Sequence, residues 1–355
     1  MKRIYLLFAL LSPLLATAQS GKYRVYGKTD LPVDGKVRLH WYNINSGKHV
    51  DSATVTDGKF EFTGTMKEVE FGQLIFRSGS SDRSAVFYLE PGTIHVDIMA
   101  GTRYGKLSGT PLNNDYQQYY QMLDTMLTRI NIGREGKRPY DQFSNDIPAE
   151  KLNILTQYIK THKASKVSID QLNMFAAKNP HPVALTALLG ELSPALKKSE
   201  AGMALASRIK GMRSGKIGDM TLPFSLPDTA GRMVKLTDFR GKYVLLDFWA
   251  TWCIPCIAEM PNVINAWNTY KNKNFTVVGV SLDRPDSKER WLKMIRESKY
   301  NWTQLSDLKF WNCEAALLYN VNSVPANFLI DPKGIIIATN LRGEALQKKL
   351  SEIFQ

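Results

Sequence analysis

Apolar and polar residues alternate in short runs along the first part of the chain. KYRVYG, KVRLHWY, KFEFTG and SAVFYLE each set apolar side chains at about every second position, with turn pairs at Asp34-Gly35, Ser46-Gly47, Asp57-Gly58 and Pro91-Gly92. Strands recurring every ~8 to 12 residues with one apolar face predict an antiparallel β-sandwich, bounded at residues 20–105. The period then lengthens. In DYQQYYQMLDTMLTRI, AEKLNILTQYIKTH and PVALTALLGE apolar positions recur at helical spacing, and Ser193-Pro194 opens a further helix to about Met212, so residues 106–213 read as helical. The Tyr and Met residues there read as core, and no cofactor box stands among them. A charged linker, RSGKIGDM, leads at about Ile217 into a third texture, α/β, that runs to residue 355. Tyr243–Trp249 is apolar on both faces except at Asp247, as a central strand between helices must be. FTVVGVSLD, NFLID and IIIATN read as further strands, with helices around WLKMIRESK, near AALLYNV and at the C-terminus.

Composition excludes several classes. A hydrophobic share of 44% and an aromatic share of 10% support sizeable cores and rule out disorder. Three cysteines in 355 residues cannot form a web of structural bridges, so packing must hold the chain together. The formal charge of +13 is diffuse: residues 106–216 hold 16 basic and 9 acidic side chains, residues 1–105 hold 13 and 10, and residues 217–355 hold 17 and 14. No run of bases is interleaved with aromatics, which argues against nucleic acid as a partner. The first eighteen residues, MKRIYLLFALLSPLLATA, combine two positive charges, an apolar stretch from Ile4 to Leu15 and an Ala16/Ala18 cleavage pattern, the form of an export signal peptide. That stretch, about twelve residues against the ~20 needed for a span, predicts a protein that does not span the membrane after cleavage. No cysteine follows the cleavage site to carry a lipid.

The chemistry centres on Cys253-Ile254-Pro255-Cys256, which follows the buried strand and opens a helix-forming stretch interrupted at Pro261. Unpaired amides and the dipole at a helix start stabilise a thiolate. Lowering a thiol pKa from ~8.5 to ~7 raises the anionic fraction at neutral pH from a few per cent to about half. Cys253, at the exposed start, is therefore the attacking residue, and Cys256, one turn in, the resolving one. Zinc wants four ligands, yet the only other cysteine is Cys313 and all five histidines precede residue 182, so no metal is expected. His40, His49 and His95 are scattered among strands. A disulfide closing so short a loop removes little chain entropy, which disfavours a purely structural staple. Cys313, beside Ala315 and Ala316, reads as a small buried side chain.

DFWATWCIPC, followed by Glu259, Pro261, Val324-Pro325 and FLIDPKG, resembles the thioredoxin superfamily, in particular its exported TlpA-like and ResA-like thiol-disulfide oxidoreductases. The likeness spans Ile217 to Gln355 and implies a thioredoxin-like fold for that segment. DSATVTDGKFEFTG and FYLEPGTI resemble the β-rich leader regions of Bacteroidetes members. The resemblance implies that Cys253 and Cys256 are the redox pair, that Trp252 flanks it, and that Pro325 is the cis-proline presenting the backbone of Val324 to an extended substrate. It further implies that Asp247 is the buried acid beneath the disulfide and Glu259 the glutamate of ResA-like members, leaving open which of them moves the proton. A lone carboxylate in an apolar strand resists ionisation, so the pKa of Asp247 should rise.

Reduction potentials of such pairs run from about −270 to −120 mV. Proline before Cys256 resembles the reductant type; with the export signal pointing to the periplasm, the resemblance implies client proteins with disulfides and a membrane-linked electron donor, and no cofactor is expected. Two other classes bear on the same residues. A thiol peroxidase shares the fold, but Ala250 stands where its P-x-x-x-T-x-x-C pattern needs threonine. A partner-binding module with a secondary redox site would use the first two segments as its grip.

Overall fold

The computed structural model describes residues 21–31, 35–43, 47–78, 81–100, 102, 105–132 and 146–355, so the export segment and the turn residues Asp34 and Ser46 lie outside the described residues. The chain divides into two compact units, one built from His49–Gln118 with the stretch up to Tyr42, the other from Tyr119–Gln355 with Asn43–Lys48.

The first unit is β-rich. Gly21–Lys28 (β1), Lys36–Asn43 (β2), Gly47–Thr54 (β3), Lys59–Met66 (β4), Glu70–Ser78 (β5), Ser81–Leu89 (β6), Gly92–Asp97 (β7) and Lys106–Ser108 (β8) form two four-stranded sheets, ordered β4-β1-β7-β8 and β3-β2-β5-β6. Alternation buries Val25, Phe60, Phe62, Leu74, Phe76, Phe87, Ile94 and Val96, each large side chain contributing about 1.5–3 kcal/mol. The Asp57-Gly58 signal becomes a two-residue hairpin: both residues have positive φ, 50° and 71°, and Thr56 and Lys59 exchange amide-to-carbonyl bonds of 2.9 Å. One ladder departs from the antiparallel pattern, since β1 and β7 run parallel. No hairpin joins those two strands, so turn geometry does not set their direction. Gly27 permits their close approach, because a Cβ there would lie 1.8 Å from the Val96 carbonyl oxygen.

Pro111–Ile132 (α1) starts against the strands. The buried Glu90 accepts from the amides of Leu112 and Asn113 at 3.0 and 3.2 Å, and Asn113 bonds both main-chain groups of Tyr88. Helices Asp146–Thr161 (α2), Lys166–Ala176 (α3), Pro182–Glu191 (α4), Pro194–Lys198 (α5) and Glu200–Met212 (α6) follow in the second unit. Sequence pattern anticipated α2 and α4 but not α3, whose start is capped by Ser165 and whose Val167, Ile169, Leu172 and Phe175 are buried. The single helix expected from Ser193 to Met212 is broken at Ser199, whose hydroxyl donates to Leu196 O of α5 and accepts the Gly202 amide of α6.

The linker is strapped down: Gly218 N–H reaches Ile336 O at 2.8 Å and Thr221 N–H reaches Gly334 O at 2.9 Å. Beyond it lie Ser225–Pro227 (β9), Met233–Lys235 (β10), Tyr243–Trp249 (β11), Ile254–Tyr270 (α7), Phe275–Ser281 (β12), Lys288–Glu297 (α8), Thr303–Leu305 (β13), Glu314–Leu318 (α9), Ala326–Ile330 (β14), Ile336–Thr339 (β15) and Gly343–Ile353 (α10). The main sheet is ordered β13-β12-β11-β14-β15, with β11, β12 and β13 parallel and β14 antiparallel to β11. Strand β11 is central and buried from Val244 onward, as its two-faced apolar pattern requires. Helix α7 continues through Pro261. Among the described residues no helix is long and apolar enough to cross a membrane.

Candidate dithiol site

The C-terminal end of β11 opens into the turn that carries the cysteines, the usual place for chemistry on an open α/β sheet. Cys253 is the N-cap of α7, and the Cys256 amide donates to its sulfur at 3.2 Å, so a helix-terminal N–H points at the atom that would carry negative charge after reduction. The two sulfurs are joined in a disulfide. One expectation is corrected here: Cys253 is not exposed, for it is 4% accessible, only slightly more than Cys256 at 1%, whereas Trp252 and Ile254 on either side are 39% and 80% exposed. Position at a helix start fixes the backbone, but flanking side chains and loops decide what covers the sulfur.

Asp283 holds the turn from below. It is fully buried, accepts the Thr251 amide and hydroxyl at 3.0 and 2.6 Å, and accepts the Ser281 hydroxyl at 2.6 Å. Arg290 Nε donates to the same Thr251 hydroxyl, and Trp252 Nε1 donates to Leu282 O at 3.1 Å. Trp252 packs edgewise on Trp311 and lies against Phe310, on which the Arg284 guanidinium sits at 3.8 Å from the ring centroid.

On the other side of β11, Asp247 pairs in register with Asn327 of β14, and the ladder begins at Phe248 opposite Ala326. Val324 and Pro325, joined by a cis peptide bond, therefore lie outside the ladder and level with the end of β11. Burial is the main influence on the Asp247 carboxyl and pushes its pKa up to about 7; the nearby Arg342 charge and a hydrogen bond from Asn327 pull it down, while the Glu259 carboxylate raises it. Arg342 donates to Pro325 O and Leu341 O, and Asn327 bonds both main-chain groups of Leu341. Glu259 is occupied: one oxygen accepts the Gly343 amide at the start of α10 at 2.8 Å, the other Asn262 Nδ2 at 3.3 Å. The residues picked out by sequence thus fall into two groups, the cysteines with Trp252 and Asp247 with Pro325 and Glu259, and Asn327 and Arg342 tie the second group together. Cys313 is fully buried, and burial, then nearby Asp307, pushes its thiol well above the ordinary range.

Residues 217–339 match the AhpC/TSA family model and residues 23–116 match a domain of unknown function, DUF4369. The ResA thiol-disulfide oxidoreductase of Bacillus thuringiensis subsp. konkukian is 32% identical over 142 residues, which is 39% of this chain and 76% of that protein. The chain belongs to the ResA family of thiol-disulfide oxidoreductases. A thioredoxin-like protein of Bacillus subtilis, YneN, is 35% identical over 137 residues, 37% of this chain and 77% of that one. Among solved structures, the thioredoxin domain of a thiol-disulfide oxidoreductase from Bacteroides vulgatus is 35% identical, covers 39% of this chain and 99% of its own, and superposes with a TM-score of 0.37. In this family member the sequence reading missed Asp283, Asn327 and Arg342. Asp283 ends the apolar run FTVVGVSLD, where a buried acid after a strand is a readable signal; Asn327 and Arg342 carry none.

Proposed function

We propose that the protein is exported to the periplasm and reduces disulfides of client proteins through Cys253 and Cys256, with electrons resupplied by a membrane-linked thiol donor. The Cys253 thiolate attacks one sulfur of a client disulfide, forming a mixed disulfide and releasing the other client sulfur as a thiolate that takes up a proton. Cys256 passes its proton to Asp247 and attacks the Cys253 sulfur. This forms the Cys253–Cys256 disulfide and frees the second client thiolate, so two electrons move from the dithiol to the client. The donor reverses these steps.

The observation that carries this reading is a disulfide capping α7 above a central strand whose buried Asp247 is pushed up to about 7, where a carboxyl can both accept and return a proton near neutrality. Asp247 suits that role better than Glu259, since both Glu259 oxygens are engaged in holding the starts and turns of helices. Trp252 and Val324 are assigned to client contact, the first by its exposure beside Cys253, the second by a main chain outside the sheet ladder. The thiol peroxidase reading gains no support: Ala250 still occupies the threonine position of that pattern.

The test is insulin-disulfide reduction driven by dithiothreitol. Wild-type protein should accelerate it, Cys253→Ser should abolish the acceleration, and Cys256→Ser should accumulate a mixed disulfide on Cys253. Equilibration with glutathione should place the couple near the reducing end, about −270 mV; a value near −120 mV would reverse the direction of electron flow.

A further inference from the structure

The helical segment between the β-rich leader and the cysteines has no part in the chemistry above, yet it packs within the same compact unit as the dithiol domain. Its last helix, α6, meets α9 and the chain leaving it. Gly211 of α6 is buried, and a Cβ there would lie 2.2 Å from Leu318 O and 2.9 Å from Leu317 O, so two backbones touch where any larger residue would force them apart. One turn earlier on the same face, Arg208 is 5% exposed, and its Nη1 donates to Asn322 Oδ1. Burial is what disfavours its charge. A desolvated guanidinium is expensive unless its hydrogen bonds perform a task, and its rigid fork fixes the position of what it holds.

What it holds is the approach to Pro325. Helix α9 ends at Leu318; Asn320 then adopts a positive φ of 50°, and Val321 N–H returns to Ala316 O at 2.8 Å. From there the chain runs through Asn322 and Ser323, both exposed, to Val324 and Pro325. Among the described residues, the side-chain hydrogen bonds of positions 321–324 are those of Asn322, to Arg208 and to Asn320. At the far end Arg342 holds Pro325 O. Two arginines therefore clamp the loop, one from the helical segment and one from the α/β segment.

We propose that the helical segment is a positioning device for client capture: Arg208, seated by the Gly211 contact, fixes Asn322 and thereby the Val324–Pro325 main chain that an extended client strand would pair with. The proposal rests on the client-reductase reading above, and Arg208 is a positioning residue, touching neither sulfur. A protein disulfide, which must lie along the loop, depends on the clamp. A small disulfide that needs only the Cys253 sulfur does not.

The experiment measures steady-state reduction of insulin and the bimolecular rate of the reduced dithiol with 5,5′-dithiobis(2-nitrobenzoate), using the full chain. Arg208→Ala should raise KM for insulin about tenfold with kcat within about twofold, leave the small-disulfide rate within about twofold, and be only partly rescued by Arg208→Lys, which keeps the charge but lacks the planar fork. Asn322→Ala, at an exposed position that tolerates substitution, should give the same KM defect, and the double variant should be no worse than either single one. An unchanged KM in Asn322→Ala, additive effects in the double variant, or parallel loss with both substrates would overturn the proposal. Wild-type protein inactive toward insulin but reactive with the small disulfide would instead sink the client-reductase reading, so the two failures are distinguishable.

Discussion

Glu90 and Asp247 are buried carboxylates, one in each unit, set in opposite surroundings. Glu90, in the β-rich unit, is 6% exposed, and burial raises its pKa, but hydrogen bonds from Thr110, Asn113 and Leu112 pull it back. It is surrounded by donors and serves as the cap of α1. Asp247, in the α/β segment, is 4% exposed between apolar neighbours of a central strand, with Asn327 as its hydrogen-bond partner and Arg342 as the charge that favours its anion. Burial wins there. The contrast teaches that a buried acid becomes structural when its neighbours are donors, and chemically responsive when they are hydrocarbon.

The sharpest way to break this comparison is Asp247→Asn. Dithiol exchange should slow about 100-fold near pH 7, because the proton relay is lost. The same substitution should stabilise the oxidised protein in alkali. A carboxyl raised from 3.8 to about 7 binds its proton more tightly when folded, so its stabilisation is complete below about pH 4 and drains away as pH rises toward 7. Removing it should therefore gain up to roughly 4 kcal/mol at pH 8 and little at pH 4, read from urea midpoints at both values. A destabilised variant at pH 8 would place Asp247 with Glu90 as a structural acid.

Glu90→Ala should do the reverse. It leaves buried amides of α1 without an acceptor and should cost about 1–3 kcal/mol in denaturant unfolding, with insulin reduction by the folded protein unchanged. A loss of activity at full stability would erase the distinction.

The smallest effect sharpens the comparison. Arg342→Met removes the charge that favours ionised Asp247, so the pH midpoint of dithiol exchange should move to more alkaline values, by about threefold in the protonation ratio at neutral pH. An acid shift would show that Arg342 does not act on Asp247 through its charge.

Elements whose evidence is local were readable. The Tyr243–Trp249 strand announced its burial through two apolar faces, and Asp57-Gly58 announced a hairpin because those residues tolerate positive φ. Cys253 and Cys256 stood out through spacing alone, and the protonation of Asp247 followed from its apolar neighbours. The short strands at 225–227, 233–235 and 303–305 were not read, since three residues carry no period. For Glu259 the resemblance left open whether it or Asp247 moves the proton, and nothing local announced that its carboxylate accepts an amide 84 positions away. The clamp on Thr251 spans 32 positions and that between Arg208 and Asn322 spans 114.

Chain order and residue type alone thus singled out the Cys253–Cys256 pair, placed Tyr243–Trp249 at the centre of its sheet and marked a lone acid there as one that would resist ionisation, because each follows from backbone spacing and the solvation of side chains. Which side chains cover the cysteines, which groups engage each acid and what grips the loop before Pro325 were decided only when distant segments met. Desolvation and hydrogen bonding act through space, and their partners have no signature at either end until the fold brings them within reach.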